Sequence, residues 1–257
     1  MKFLFSRIAV LSYIAIFSVI ITLGGSQTSA ISQMRNISNL EFRMPNRGAP
    51  GNRKDAGTRN VSSCPTEVHD LTALVPQTNL GLTISEYPTF WFYLPDSHEL
   101  EISMEFILLD DAGNTVYQSV FEAPSSSRLM SLSLADEAVP LEINRKYQWY
   151  LSANCSQKPY SEANIRVRGW VERIELDPDL LSQLSELEKR EQVVFLSENG
   201  LWHETVAALY GLRHEQPQNE DFLNAWVSLL GSIGLEEIGL QTVESESLEL
   251  TYQVTNR

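Results

Sequence analysis

Apolar and polar residues alternate at every second position through much of residues 64–176, which is the pattern of β-strands with one buried face. The clearest example is residues 100–109, after which the turn-forming residues 110–114 lead the chain back into a second strand, residues 115–121. Further turn residues recur at short spacing. Seven or eight short strands within about 110 residues predict an antiparallel β-sandwich of the immunoglobulin-like type, over residues 63–176.

One predicted strand, residues 89–94, is apolar on both faces. Phe90 and Phe92 point to one side, whereas Trp91 and Tyr93 point to the other. The opposing sheet can cover one of these sides. Either the part of the chain that follows the sandwich, or a partner protein, has to cover the other.

Helical spacing of apolar residues begins after Asp177. Asp177 and Pro178 form a helix start, with the aspartate as the cap and the proline at the first helical position. Three helices are predicted over residues 177–240. This segment is too short to be stable alone, so we expect it to pack on the sandwich. Residues 241–257 are expected to form a tail or an edge strand.

The first thirty residues have the three parts of a secretory signal peptide. Lys2 and Arg7 precede an apolar stretch over residues 8–23, and small residues follow as far as Ala30. This stretch of 16 residues is shorter than the roughly 20 that a membrane-spanning helix needs. Cleavage after Ala30 is therefore favoured over an uncleaved anchor, and the mature protein is expected to be periplasmic or secreted.

The segment after the cleavage site is basic and poor in apolar residues. Residues 31–62 are rich in Ser, Asn, Gly, Pro and Arg, which predicts a flexible linker. The alternative is a basic arm that contacts anionic polymers of the envelope. Residues 61–257 have the opposite character, with 11 basic and 31 acidic residues. A body this acidic excludes nucleic acids and anionic membranes as favoured partners.

The chain contains two cysteines, Cys64 and Cys155. In an exported protein such a pair predicts one disulfide, which would close a loop of about 90 residues and contribute roughly 4–5 kcal/mol on the chain-entropy model. No metal or cofactor is expected, because two isolated cysteines and four scattered histidines do not make a ligand set.

No complete catalytic motif is present. His203 and Glu204 begin a zinc-protease motif, but Ala207 occupies the position of the second histidine, so His203 is expected on a helix surface. Residues 110–114 fit a hairpin turn better than a calcium loop. The acidic residues over 172–179 fit a solvated helix start. A pair of carboxylates acting in glycoside hydrolysis stays open as an alternative, because such a pair is defined by its separation in space.

Four aromatic residues are candidates for a binding surface: Trp91, Tyr93, Trp149 and Trp170. On an exposed sheet face they would form a platform on which sugar rings stack. The alternative, which large aromatic residues favour, is that they belong to the core.

Several aromatic and proline motifs occur together between residues 71 and 226. They are Leu71–Pro76, Tyr87–Pro95, Glu105-Phe106, Tyr117, Tyr147–Trp149, Cys155, Gly169–Arg173, Gly200–Trp202 and Trp226. Over roughly residues 60–240 the chain resembles an exported cyanobacterial family known only as domain of unknown function 928. The resemblance implies a cyanobacterial source and an envelope location, and it carries over no catalytic residues.

The leading hypothesis from the sequence is a non-enzymatic exported protein, an interaction or adaptor module that binds another envelope or secreted protein. The motive is the export signal, together with more apolar strand and helix faces than one sandwich needs. The alternatives are a carbohydrate-binding module that uses exposed aromatics, and a carboxylate-dependent hydrolase.

Overall fold

The structure is a computed structural model. It describes residues 36–54, 66–95, 102–123, 128–134, 139–154 and 164–243. All of them belong to one compact unit, Arg35–Arg257. The predicted signal peptide and both Cys64 and Cys155 lie outside the described residues, so the export signal and the disulfide stay predictions.

Eight strands of the described part form two sheets that enclose an apolar core. Their bounds are β1 Thr72–Ala73, β2 Leu80–Thr83, β3 Thr89–Tyr93, β4 Ser103–Leu109, β5 Thr115–Glu122, β6 Leu129–Ser133, β7 Arg145–Asn154 and β8 Asn164–Arg173. One sheet has the order β1-β3-β6 and the other β2-β8-β7-β4-β5. Neighbouring strands are antiparallel, except that β2 runs parallel to β8. The predicted immunoglobulin-like sandwich with packed helices is confirmed by this arrangement.

Two features of β7 and β8 fix the middle of the sandwich core. Near the start of β7 the hydroxyl of Tyr147 accepts a hydrogen bond from the Glu142 N–H at 3.0 Å, which is the tyrosine corner of such sandwiches. Trp149 is fully buried and lies flat against Gly169 of β8, where any Cβ would overlap the indole ring. A glycine at this position is therefore required by packing rather than by a turn.

The turn between β4 and β5 has the predicted form of a hairpin. One carboxylate oxygen of Asp110 accepts hydrogen bonds from the N–H groups of Ala112 and Asn114, at 3.0 and 2.8 Å. Gly113 supplies the left-handed backbone conformation with φ of 85°. The hydrogen bonds from Asn114 lower the pKa of Asp110. Its carboxylate is thus used to close the turn.

Five helical segments follow the strands. They are α1 Pro178–Glu186, α2 Lys189–Glu198, α3 Trp202–Glu215, α4 Glu220–Ser232, and α5 over residues 236–243. Asp177 caps α1 as predicted, since its carboxylate accepts the Asp179 N–H at 2.9 Å. The sequence predicts three helices. The first divides at Leu187, which has extended backbone, and α5 includes residues 241–243, where a tail or strand was expected.

The two-sided strand β3 separates the two cores of the molecule. Phe90 and Phe92 belong to the core between the sheets. Trp91 and Tyr93 face the other way and pack with α3 and α4, in a second core that also contains Trp202 and Trp226. The helices therefore cover the second face of β3 as expected, and this strand needs no partner protein to cover it. Within the described residues, no helix is long and apolar enough to pass through a membrane.

Residues 36–54 form an N-terminal strap along the folded body, so for these residues the predicted flexible linker is wrong; the rest of the predicted linker, residues 31–35 and 55–62, lies outside the described residues. Ile37, Leu40 and Phe42 are buried in the core of the helices. The Ser38 hydroxyl donates to the Asp221 carboxylate at 2.7 Å, which lowers the pKa of Asp221. The polar composition of the segment favoured a linker, and three apolar side chains were too few to indicate that it packs on the core.

The end of the strap closes the open edge of the sandwich between β1 and β8. Asn52 exchanges two backbone hydrogen bonds with Arg168 of β8, at 3.0 and 3.1 Å. The next residue, Arg53, accepts the Ala73 N–H of β1 with its carbonyl oxygen at 2.8 Å. Its guanidinium donates to the carbonyl oxygen of Ile233 at 2.6 Å. Since Ile233 is the C-cap of α4, Arg53 joins the sheet of β1 to the negative end of that helix.

Candidate functional site

The structure separates the four aromatic residues that the sequence offered as a sugar platform. Trp91 and Tyr93 are buried under the helices, where Trp91 contacts the Tyr210 ring and the Tyr93 hydroxyl donates to Gln241 at 2.6 Å. Trp149 lies in the core between the sheets. Trp170 alone of the four lies on the outer face of the five-stranded sheet, half-buried, with its indole N–H bonded to the Pro50 carbonyl at 2.9 Å. They therefore form no common platform.

His203 is buried rather than on the helix surface, which corrects the expectation from the sequence. Its Nδ1 lies 2.9 Å from the carbonyl oxygen of Thr89. Because a carbonyl can only accept, Nδ1 carries the proton of the neutral ring. Nε2 packs against Gly81 and has no hydrogen-bond partner among the described residues. Burial lowers the pKa of His203.

The neighbouring carboxylate of Glu204 has a structural role. One of its oxygens accepts hydrogen bonds from the Thr83 hydroxyl at 2.5 Å and from the N–H groups of Ile84 and Ser85 at 2.9 and 3.2 Å. These groups belong to the end of β2 and the residues after it. Glu204 thus fastens α3 to the sandwich, and the bond from His203 to the Thr89 carbonyl does the same one residue earlier. In the described ranges, no three His, Cys, Asp or Glu residues are close enough to hold a metal ion.

The stability of the protein is expected to fall on mild acidification because of His203. Its pKa in the folded protein is below the value of about 6.5 in the unfolded chain, so between these values the unfolded chain binds more protons. The stabilisation is complete above pH 6.5 and decreases below it, by up to about 1.4 kcal/mol per pH unit. Urea unfolding at pH 7.5, 6.5 and 5.5 measures this.

The control for this prediction is His203→Gln, whose amide does not titrate and can still donate to the Thr89 carbonyl. The variant is expected to lose the dependence on pH between about 5.5 and 6.5. An equal dependence in the variant and the wild type would assign the effect to other groups.

A shallow polar groove of about 590 Å³ lies between the strap and the helices. Its lining includes Glu41 and Glu236, with the hydroxyl-bearing residues Ser38, Ser228 and Ser232. The hydrolase alternative requires two carboxylates at a defined separation across such a groove. That alternative stays a prediction attached to this groove.

The outer face of the five-stranded sheet is the surface that the helices leave open. It carries Arg166 and Arg168 on β8 and Lys146 on β7, all exposed, and Arg47 of the strap beside them; these four residues are called the cationic face below. Glu172, also on this side of β8, is almost fully buried by its ion pairs with Arg47 at 3.0 Å and Lys146 at 3.8 Å. The sequence did not single out Arg166, Arg168 or Lys146, although Arg166 and Arg168 recur with the period of a strand. The prediction of a solvated helix start over residues 172–179 is wrong for Glu172, which lies buried on β8.

At the opposite end of this sheet, β5 is an edge strand. Among the described residues it pairs only with β4, so one side of its backbone has no strand beside it. It is eight residues long and has a single charge, Glu122. The Val120 side chain is 63% exposed, and the half-buried Ile107 of β4 is its diagonal neighbour on the same face. Long edges with so few charges are the kind that bind another strand.

Comparison with known proteins agrees with the resemblance of the motifs. A family model described as Domain of Unknown Function (DUF928) matches residues 54–243. No curated protein matches the chain. Among solved structures, the chain is similar to the fn3 domain of human collagen alpha-1(XX) chain, with 12% sequence identity and a TM-score of 0.25 over 48% of this chain and 94% of that one. The immunoglobulin-like assignment rests on the strand order and not on this likeness.

Proposed function

This chain belongs to the family described as Domain of Unknown Function (DUF928), and we propose that it is a non-enzymatic exported module that binds an extended segment of another envelope or secreted protein. Export is proposed from the signal-peptide pattern of residues 1–30, and a periplasmic or secreted location follows from it. A cyanobacterial source is part of the same proposal and comes from the motif resemblance.

The observation that carries the proposal is the free edge of β5. The sequence indicated a partner protein through apolar faces that one sandwich does not cover. The helices of the same chain cover those faces. What is left is a backbone edge. An added strand would satisfy the unpaired N–H and C=O groups of that edge and would place its own side chains beside Val120.

The hydrogen-bond pattern identifies which backbone groups of β5 point outward. The Ala123 N–H donates to the Ile102 carbonyl at 2.9 Å, so these residues form a hydrogen-bonded pair. Such pairs alternate in an antiparallel ladder. Gln118 and Val120, which pair with Ile107 and Glu105, therefore direct their backbone groups away from β4. A proline at Val120 removes an outward donor and leaves the β4–β5 ladder intact.

The experiment is a cross-linked pull-down of the mature protein, residues 31–257, from its own cell envelope, followed by mass spectrometry. Val120→Pro is expected to lower the recovery of a specific protein partner by at least tenfold. Val120→Thr keeps the N–H and the shape of the side chain, so its recovery is expected to equal that of the wild type.

Circular dichroism and urea unfolding establish that both variants are folded. Recovery of the same protein by wild type and Val120→Pro would overturn binding at β5, and the absence of any specific protein partner would overturn the proposed function itself.

A further inference from the structure

The two arginines of β8 are held in position before any ligand binds. They occupy alternate positions of one strand, so their Cα atoms are about 7 Å apart on the same face. The Arg166 Nε donates to the Ser152 hydroxyl at 2.9 Å, and the Arg168 Nε donates to the Asn52 side-chain oxygen at 3.1 Å. The guanidinium of Arg166 also lies over the Tyr150 ring, 5.8 Å from its centroid. Each contact restrains a long side chain, which reduces the entropy that binding would cost.

The outward nitrogens of both guanidinium groups are available to a ligand. Within the described residues, each arginine uses its Nε for a neighbour in the protein, and no ion pair joins either of them to a carboxylate. The acidic residue nearest along β8, Glu172, is already paired with Arg47 and Lys146. The guanidinium fork matches two oxygens of a carboxylate or sulfate group.

The positive charge of this surface is local. The chain has a formal net charge of −14, which by itself argues against anionic partners. Charges more than about 8–10 Å away are largely screened at physiological ionic strength. Among the described residues, a ligand on the cationic face is therefore affected mainly by the four cations and by Glu172 and Glu105. Glu105 is two strands away from β8 and accepts a hydrogen bond from Gln118 at 2.7 Å.

The charges lie along a line rather than around a pocket. From Arg166 to Glu172, where Arg47 and Lys146 gather, β8 extends about 20 Å. Trp170 lies between the two groups of cations on the same face and is half-buried, and Tyr150 lies beside Arg168 on β7. An anionic group at each end with ring contacts between them fits an extended chain of acidic sugars better than a single small anion.

We propose that the cationic face binds an acidic polysaccharide, with carboxylate or sulfate groups on Arg166 and Arg168 and sugar rings along Trp170 and Tyr150. This proposal goes beyond the binding of a protein at β5 and does not depend on it, since the two arginines lie on β8 and the strand-binding edge is the outer side of β5, with β7 and β4 between them. It also gives a specific form to the basic-arm alternative, because Arg47 of the strap forms part of the surface.

The test measures binding of the mature protein to immobilised dextran sulfate and alginate. Neutral dextran of the same length as the dextran sulfate is the control ligand. Binding is expected for the two acidic polymers, with an affinity that falls as NaCl is added, and not for dextran. The double variant Arg166→Gln/Arg168→Gln is expected to bind at least tenfold more weakly, since the ligand loses its charged hydrogen bonds to both guanidinium groups.

The matched control is Lys189→Gln, which changes the net charge as much as Arg168→Gln but on the exposed surface of α2. It is expected to bind the acidic polymers like the wild type, whereas Arg168→Gln is expected to bind several-fold more weakly. Val120→Pro is expected to keep this binding, so failure at β5 and failure here are distinguishable.

Two results would overturn the proposal. One is equal binding of dextran sulfate by the double variant and the wild type, with both shown to be folded by circular dichroism. The other is binding of poly-L-glutamate as tightly as dextran sulfate and with the same dependence on the two arginines, because charge alone would then explain the site and an acidic peptide would fit it as well.

Discussion

Replacing Trp202 with alanine is expected to lower the free energy of unfolding by about 3–5 kcal/mol, among the largest effects of any single substitution in this protein. Trp202 is fully buried at the start of α3. Its indole N–H donates to the Leu74 carbonyl at 2.8 Å, and its ring meets the Phe42 ring edge-on at 4.8 Å between centroids. One side chain thus joins the helices, the sandwich and the strap.

Urea unfolding measures this loss of stability, and limited proteolysis shows which segment of the chain becomes easier to cleave. Because Phe42 loses its ring contact, cleavage within residues 36–54 is expected to become faster in Trp202→Ala. Trp202→Phe keeps most of the apolar volume and removes only the hydrogen bond, so a loss of about 1–3 kcal/mol is expected from the unpaired Leu74 carbonyl. A loss below 1 kcal/mol in Trp202→Ala, with the strap still protected, would contradict a joining role.

Removing the strap is expected to unfold the helical part or to release it from the sandwich. The truncated chain is residues 55–257, and it is compared with residues 31–257. Ile37, Leu40 and Phe42 are almost fully buried, and burial of each such side chain contributes about 1.5–3 kcal/mol. The sum is comparable with the whole stability of a typical domain. The bond from Arg53 to the end of α4 is lost in addition.

Hydrogen exchange of the backbone amides measures the result of that truncation, with loss of protection expected first in α3 and α4. The triple variant Ile37→Ala/Leu40→Ala/Phe42→Ala is expected to reproduce most of the effect in a chain of full length. Met44→Ala, at an exposed position of the strap, is the control and is expected to change stability by less than about 0.5 kcal/mol. Unchanged protection in the truncated chain would mean that the strap only lies on a body that is stable without it.

Local signals in the sequence predicted the sandwich and its details well. The alternation over residues 100–109, the turn at Asp110 and the cap at Asp177 each depend on neighbours within a few residues, and all three are found. The two apolar faces of β3 also predicted its place between two cores. The sequence could not say which sheet or helix supplies each contact.

The features that the sequence did not predict, the buried His203 and the cationic face, depend on contacts between distant parts of the chain. His203 follows Trp202 on a helix that packs on the sandwich with one side and on α4 with another, so its buried face is wider than the apolar stripe indicated. The cationic face combines Arg47 of the strap with residues of β7 and β8 more than 90 positions later. The composition of residues 31–62 suggested a linker, and the acidic composition of the rest of the chain concealed the cationic face.

The strap also determines when this protein can complete its fold during synthesis. Ser38 bonds Asp221 and Phe42 bonds Ser232, across separations of 183 and 190 residues. At roughly 5–20 residues per second, the ribosome needs on the order of ten to forty seconds to produce those partners after the strap has appeared. Through that interval Ser38 and Phe42 lack these partners, and the helical core cannot close. A chain built this way stays incompletely folded until nearly all of it has been made, which is compatible with the export proposed above.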